Sequence, residues 1–281
     1  MPQKPELSEF LRSRRDRLRP VDVGLPDRGQ RRVPGLRREE VASLAGVSTD
    51  YYVRLEQGRD ITASEDVLDA LARALQLDEA ERLHLRHLAK PRRARRSPPR
   101  SQRVRPGVRL LLDSLSTPAF VLGRRTDVLA TNRMARALLA DFDAMPAGER
   151  NHARWLFLDP RARELYADWE TVARENVAIL RMDAGRYPED ERLSALIGEL
   201  SVKSPEFARW WADHDVLVRG HGTKRYRHPI VGEIDIRYEA LQLADEDQTL
   251  FIYSVEPDSP SEQALAMLDS WSGTPAPSNV P

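Results

Sequence analysis

The chain has 281 residues and is 41% hydrophobic, which is enough apolar material for two modest cores and excludes wholesale disorder. It contains no cysteine, so disulfides, thiolate metal sites and thiol nucleophiles are excluded as well. Its 44 basic and 44 acidic residues balance, yet residues 1–106 hold 24 Lys and Arg against 16 Asp and Glu, which indicates a polyanionic partner for this half unless the segregation is chance.

The first residues, 1–19, are charged throughout and lack the apolar centre of a signal peptide. No apolar run in the sequence approaches the roughly 20 residues that a membrane helix requires. We therefore expect a cytoplasmic protein with no membrane partner.

Five helices are predicted over residues 1–91, which makes this an all-α domain. The first has an apolar stripe at helical spacing, formed by Leu7, Phe10, Leu11, Arg14 and Leu18. Two short helices follow at residues 37–44 and 49–57, separated by Gly46 and capped by Ser48. A fourth begins at Ser64, and a fifth covers residues 78–88, with an expected buried face of Leu83, Leu85 and Leu88.

The two short helices are typical of a helix-turn-helix, the sequence being REEVASLAGVSTDYYVRLEQG from Arg38 to Gly58. Ala45 is small where the helices cross, Gly46 permits the turn, and Val47 fills the gap beneath it. Tyr52 and Leu55 anchor the second helix. An ordinary helical hairpin is the alternative, but it does not require small, turn and filling residues in this register.

The exposed face of the second short helix is the predicted DNA-reading surface, because this face enters the major groove in such motifs. Arg54 is suited to a guanine edge or to a phosphate, and Asp50 to cytosine or simply to the helix N-terminus. Tyr51 and Arg38 are predicted to position phosphates. The full set of candidate DNA-binding residues is Arg38, Ser48, Thr49, Asp50, Tyr51, Val53 and Arg54, with added non-specific affinity from Arg31, Arg32, Arg37 and the arginines of residues 92–96.

Residues 92–107 are basic and proline-rich and predict a linker between this domain and a second one over residues 108–258. The second domain begins with strands at residues 119–123 and 128–131 and a helix capped by Asn132. Helices dominate residues 154–214. Three strands follow: one ending at residues 226–228, one with Ile230, Ile234, Ile236 and Tyr238 in alternation, and one at residues 250–255. This order predicts an α+β domain with helices on an antiparallel sheet, followed by a short helix and a disordered end in residues 259–281.

A ligand in the second domain would need an apolar cavity with a few polar groups. Four tryptophans lie on its predicted helices, and the candidate lining is Trp155, Phe157, Trp169, Ile179, Trp210, Phe251 and Tyr253, although plain core packing is the favoured explanation for any single one of them. For a carboxylate, Asn132, Arg174 and Arg237 are the candidate partners, with surface salt bridges as the alternative use of the arginines.

An enzyme is not predicted, because the sequence holds no nucleophile elbow, phosphate loop or dinucleotide fingerprint. His214, His221 and His228 recur at seven-residue intervals but lack zinc-ligand spacing. We therefore expect no catalytic residues, no metal and no cofactor. A protein-interaction or dimerisation module without ligand is the other interpretation of the second domain.

The stretch from Arg38 to Gly58 resembles the XRE (Cro/C1-type) helix-turn-helix, including the Glu56-x-Gly58 ending. Residues 6–256 as a whole resemble the MmyB-like family of regulators. The segments that carry this resemblance are VPGLRREEVASLAGVSTDYYVRLEQGRD, LFLDPRARELYADWE, SPEFARWWADHDV and GTKRYRHPIVGEIDIRYEAL. The resemblance implies a PAS-like ligand-binding domain, fatty-acid-like ligands, and control of secondary metabolism or of neighbouring oxidoreductase genes.

The sequence as a whole predicts a transcription regulator that binds operator DNA and senses a small apolar ligand such as a fatty acid. We expect a homodimer on a pseudo-palindromic operator, with its recognition helices about 34 Å apart.

Overall fold

The computed structural model describes residues 5–26, 33, 35–59, 63–89, 102–218, 220–244 and 247–273. Arg31, Arg32 and residues 92–96, expected to add affinity for DNA, lie outside the described residues. Within them the chain divides into two compact units. The first is residues 1–97 together with residues 181–190 and 209–218, and the second is residues 98–180, 191–208 and 219–281.

The N-terminal part of the first unit is helical, as predicted. Its five helices are α1 (Pro5–Arg17), α2 (Arg38–Ala45), α3 (Thr49–Glu56), α4 (Glu65–Ala74) and α5 (Glu79–Ala89), with a 3-10 turn at Pro20–Val23. Their shared core contains Phe10, Leu11, Tyr52, Leu55 and Leu71. The helix-forming signals are the capping residues Ser48 and Ser64, which accept hydrogen bonds from backbone N–H groups of α3 and α4.

One helix face differs from the prediction. Leu83 is exposed, and His84 is buried in its place, with its ring edge-on to Phe10 at 5.1 Å between centroids. The apolar spacing of α5 predicts that Leu83 faces the core. In the structure, the packing of α5 against α1 rotates the helix slightly, so that His84 faces the core and Leu83 faces outward. His84 is therefore a core residue of this unit.

The remaining helices are α6 (Pro106–Ser114), α7 (Arg133–Leu138), α8 (His152–Leu158), α9 (Pro160–Leu165), α10 (Trp169–Arg186), α11 (Glu191–Lys203), α12 (Pro205–Ala212) and α13 (Pro260–Gly273). The start of α6 lies inside the stretch interpreted as a linker, because Val104, Val108 and Leu112 pack in an apolar cluster with Ala119 and Val121. The predicted helix near the C-terminus is present as α13.

The second unit is built on a five-stranded antiparallel sheet in the order β2-β1-β5-β4-β3. Its strands are β1 (Ala119–Leu122), β2 (Val128–Thr131), β3 (His221–His228), β4 (Gly232–Gln242) and β5 (Thr249–Ser254). Ile234 and Ile236 alternate inward on β4, as predicted. Ile230 does not belong to this strand: it is exposed in the turn between β3 and β4, where Pro229 cannot donate a ladder hydrogen bond and Gly232 has a φ of 78°. The fold is thus an α+β domain with a helix-covered sheet.

Candidate nucleic-acid interface and ligand-binding site

The turn between α2 and α3 has the geometry that the motif requires. Gly46 is left-handed, with a φ of 66°, and its neighbour Val47 donates a backbone hydrogen bond to the Ala42 carbonyl at 3.0 Å. Ser48 Oγ accepts from the Tyr51 N–H at 3.1 Å, so the hydroxyl is used as the N-cap of α3. Ala45 is buried where the helices meet.

The base of α3 is fixed by a buried carboxylate. Glu56 accepts a hydrogen bond from Arg15 Nε on α1 at 2.9 Å and another from Arg38 Nε on α2 at 2.8 Å. Burial alone would raise the pKa of Glu56, but the hydrogen bonds from the two guanidinium groups outweigh it and hold the pKa below its usual value. One carboxylate therefore joins the three helices that set the orientation of α3.

A close backbone approach between α1 and the segment before α2 adds to these ion pairs. We refer to Glu56, Arg15, Arg38 and this approach at Gly35 together as the frame of α3. Arg15 also donates to the Leu36 carbonyl at 2.8 Å, and the Leu36 N–H donates to the Arg15 carbonyl at 3.1 Å. A Cβ on Gly35 would lie 2.5 Å from the backbone of Arg15 and Asp16, so only glycine fits there. The segment entering α2 is thereby fixed to α1.

The predicted DNA-reading residues lie on the side of α3 that the frame leaves open. Ser48, Thr49, Asp50 and Arg54 are exposed, and Tyr51 and Val53 are half-buried. Among the described residues, the Arg54 guanidinium makes no hydrogen bond or ion pair. Arg38 differs from the others: its guanidinium faces Glu56 and still leaves 42% of the side chain exposed. Sequence reasoning missed the role of Arg15, since nothing in its helical spacing distinguishes it from its arginine neighbours.

In the second unit, Trp155 lines two cavities. One cavity of about 330 Å³ is lined by Leu139, Ala140, Asp141, Ala144, Met145, Trp155 and Arg161. A wider one of about 740 Å³ shares Met145 and Trp155 and continues along Leu158 and Pro160 to Glu199 and Lys203. The smaller cavity has an apolar wall with Arg161 at its edge, where the guanidinium is paired with Asp159 at 2.6 Å.

Other predicted lining residues pack as core. Phe251 stacks on Phe120 with a centroid distance of 5.2 Å, and Phe157 meets Trp169 edge-on at 5.8 Å. Ile179 is half-buried. Trp210 is buried and belongs to the first unit.

The predicted polar partners are engaged in the domain itself. Asn132 caps α7 through the Ala135 N–H, accepts from the Ala119 N–H, and donates to the Leu115 and Thr117 carbonyls. Arg174 pairs with Glu170 one turn away at 2.9 Å, and Arg237 pairs with Glu256 at 3.2 Å, both at the surface.

Sequence reasoning missed a line of polar groups inside the second unit. Trp155 contacts His152 at 5.6 Å between ring centroids. The two ring nitrogens of His152 lie 3.3 Å from Asn176 Nδ2 on α10 and 3.4 Å from the Tyr166 hydroxyl. Tyr226 donates to the Tyr253 hydroxyl at 2.9 Å. Asn176 Oδ1 has no hydrogen-bond partner among the described residues, although it is buried.

Lys224 lies on β3 with its ammonium group 4.6 Å from the Tyr238 ring centroid. Desolvation lowers the pKa of Lys224 to about 8, against the attraction of Glu175. Burial likewise raises the pKa of Glu175, although Lys224 opposes it. These groups lie far apart in sequence, so only the sheet and α10 bring them together.

The described residues hold no group of three or more His, Asp or Glu side chains arranged for a metal ion. None of the helices in the described ranges is both long and apolar enough to cross a membrane.

Two family models match the chain. The model of a helix-turn-helix domain matches residues 6–85, and the model described as the MmyB-like transcription regulator ligand binding domain matches residues 104–268. A search of the curated proteins found no match. The second model alone spans more than half of the 281 residues. With its helix-turn-helix and its ligand-binding domain, the chain belongs to the family of MmyB-like transcription regulators.

Proposed function

We propose that this protein is a cytoplasmic, sequence-specific regulator that reads operator DNA with α3 and responds to a small apolar ligand. It acts by binding, without catalysis. The observation that carries the DNA-binding part is the exposed guanidinium of Arg54, which no described residue pairs with, on a helix whose base is fixed by Glu56. A guanidinium presented from a fixed helix suits bidentate contact with a guanine edge.

The set of DNA contacts that we propose keeps Thr49, Asp50, Val53 and Arg54 for base edges. Tyr51 and Arg38 are assigned to phosphates, with Arg38 oriented by Glu56. Ser48 contributes through its capping of α3, which presents the first backbone N–H groups of the helix to the DNA.

The DNA-binding proposal is tested with sequences selected in vitro by the full-length protein. We expect Arg54→Ala to lose about 1–3 kcal/mol of binding to the selected operator and much less to random DNA. Fluorescence anisotropy at fixed salt gives both affinities, and Arg73→Ala on α4 is a matched arginine control. An equal loss on both DNAs would assign Arg54 to a phosphate instead.

A homodimer is part of this proposal, because one short recognition helix reads too few base pairs for specificity. Two copies would present their α3 helices about 34 Å apart on a two-fold symmetric operator. Sedimentation with and without operator DNA tests this. One chain bound per operator would contradict it.

For the ligand, we propose the cavity beside Trp155. Its volume of about 330 Å³ falls within the range of small-molecule sites, and its wall combines apolar side chains with Asp141 and with Arg161, whose pairing with Asp159 an acidic ligand group would have to share. These features suit an apolar ligand with an acidic group, such as a fatty acid. Trp155 is the predicted lining residue on which this proposal rests. Phe157, Trp169, Ile179, Phe251 and Tyr253 would support the wall from the core, whereas Asn132 is accounted for by its own bonds and Arg174 does not line the cavity.

Native mass spectrometry of the purified full-length protein tests the ligand proposal. We expect added mass that denaturation releases as a fatty acid. Ala144→Trp at the edge of the cavity should abolish this mass, while Ala147→Trp, exposed but outside the lining, should retain it. A clean apo mass for the wild-type protein, even after incubation with myristate, would favour the alternative of an interaction module without ligand.

A further inference from the structure

The first unit contains two segments that come from far along the chain. Residues 181–190, which include the end of α10, and residues 209–218, which include the end of α12, pack with the helices of the helix-turn-helix region. The hydrogen bonds and close contacts described below involve α1 and α5. We refer to the group formed by Arg14, Arg17, His84, Gly185 and His214 as the joint.

The steric centre of the joint is the pair Gly185 and His84. A Cβ on Gly185 would lie 2.4 Å from Cε1 and 2.7 Å from Nδ1 of the His84 imidazole. His84 is itself fixed against Phe10 of α1 and is only 2% exposed. The glycine is therefore required by close packing, since its own backbone is ordinary helix.

Polar contacts surround this pair. Arg14 donates to the His214 carbonyl, and its Nε lies 2.7 Å from Glu81 on α5. Arg17 donates to the Asp213 carbonyl at 2.9 Å and pairs with Asp215. Arg14 and Arg17 thus place two adjacent turns of α1 against the segment that follows α12.

The helix that supplies Gly185 also carries residues of the ligand-binding domain. Residues 169–180 of α10 belong to the second unit, where Asn176 contacts His152, and the last residues of the same helix belong to the first. The 18 residues of α10 form one continuous helix about 27 Å long.

We propose that Gly185 and His84 are positioning residues for DNA binding: through the joint, α10 holds α1 and α5, and operator affinity depends on that contact. The inference rests on the proposed DNA-binding function. Two recognition helices must bind two half-sites at the same time, and a helix-turn-helix that is already held in place loses less conformational entropy when this happens. Its affinity for the operator is therefore higher.

The test uses full-length Gly185→Ala and the operator selected by the wild-type protein. Alanine favours a helix over glycine by about 1 kcal/mol, so the helix itself is not weakened and the added methyl acts only on the joint. We expect operator affinity to fall about tenfold while affinity for random DNA changes less than about twofold. Gly198→Ala on α11 is the matched control, because a Cβ there meets nothing within 4 Å.

The double variant Gly185→Ala/His84→Ala removes the ring that the methyl meets. We expect it to bind the operator more tightly than Gly185→Ala, which a general loss of stability would not produce. The single variant His84→Ala completes the cycle. Unchanged operator binding by Gly185→Ala, or failure of the double variant to recover, overturns the proposal.

A second variant tests the joint independently, in case Gly185→Ala does not fold. Arg17→Ala removes an exposed anchor of the joint, and Arg12→Ala, exposed on the same helix, is its control. We expect a loss of operator affinity for Arg17→Ala alone, and equal affinities would contradict the joint. If the wild-type protein selects no DNA, it is the proposed function that fails, so the two failures are distinguishable.

Discussion

The two binding regions of this protein are built in opposite ways. On α3 the candidate contact residues are exposed, and the structural work is done by buried partners behind them, Glu56 and Arg15. In the ligand-binding domain the distinctive residues are themselves buried, and most have bonds that the fold requires. On a surface that binds DNA, the residues that hold the helix in place differ from the residues that contact the DNA. In a cavity, the same side chains support the fold and contact the ligand. Mutations in the first region should therefore affect either stability or binding, whereas mutations in the second region should more often affect both.

The largest effect is expected from Glu56→Ala, which breaks the frame. It leaves Arg15, a buried cation, with only the partly exposed carboxylate of Asp16, and removing one partner of a buried ion pair costs up to about 3–5 kcal/mol. Urea unfolding followed by circular dichroism should show this loss in the helical transition. Glu39→Ala, whose carboxylate is exposed beside Arg37, should change little. Similar stabilities of the two variants would show that the frame is unimportant.

In the ligand-binding domain the corresponding variant is Asn132→Ala. It removes four hydrogen bonds, among them the cap of α7, and leaves buried backbone groups unpaired. We expect a loss of about 3 kcal/mol in stability. Ligand mass in native spectra of the folded fraction should persist. Loss of ligand from a fully stable variant would instead restore Asn132 as a contact residue.

The first region should also respond to pH through His84. Burial, together with the neighbouring Arg181, His87, Arg14 and His214, lowers the pKa of His84 to about 3. The unfolded chain takes up this proton below about pH 6.5 while the folded protein does not, so stability falls as pH decreases. Between pH 7 and pH 5 the loss should reach about 2 kcal/mol. Denaturation at the two pH values measures it, and His84→Leu should remove this part of the dependence and leave the part due to His214, whose pKa burial lowers to about 4.

The smallest effect is expected from Arg174→Ala. This exposed side chain pairs with Glu170 one turn away, an arrangement worth less than about 0.5 kcal/mol. Thermal unfolding should be nearly unchanged and ligand mass retained. A loss of ligand would move the proposed acidic-group partner from Arg161 to Arg174.

The helix-turn-helix was predictable because its signals are local. The turn at Gly46, the cap at Ser48 and the buried anchors Tyr52 and Leu55 all lie within a dozen residues, and the structure confirms each of them. The order of strands and helices in the second domain was predictable for the same reason. The predictions were wrong where tertiary contacts decide the outcome. Ile230 lies in a turn and not in the predicted strand, and His84 is buried on α5 where Leu83 was expected.

The interior of the ligand-binding domain could not be predicted from periodicity. Lys224 lies on an alternating strand where a charged residue is expected at the surface, yet it faces Tyr238 and Tyr166. Asn176 sits in the middle of an ordinary amphipathic helix, and its contact with His152 depends on how α10 crosses α8. Contacts between residues so distant in sequence leave no local pattern.

The end of α10 has a consequence for how such proteins are assembled. A segment of residues 1–97 taken alone would lack Gly185, which packs against His84, because residues 181–190 and 209–218 complete this unit. The two halves are therefore poor candidates for free exchange. A recombinant that joins this helix-turn-helix to another ligand-binding domain would need a small residue in place of Gly185, or a smaller side chain in place of His84. The pair should change together among chains that share this architecture.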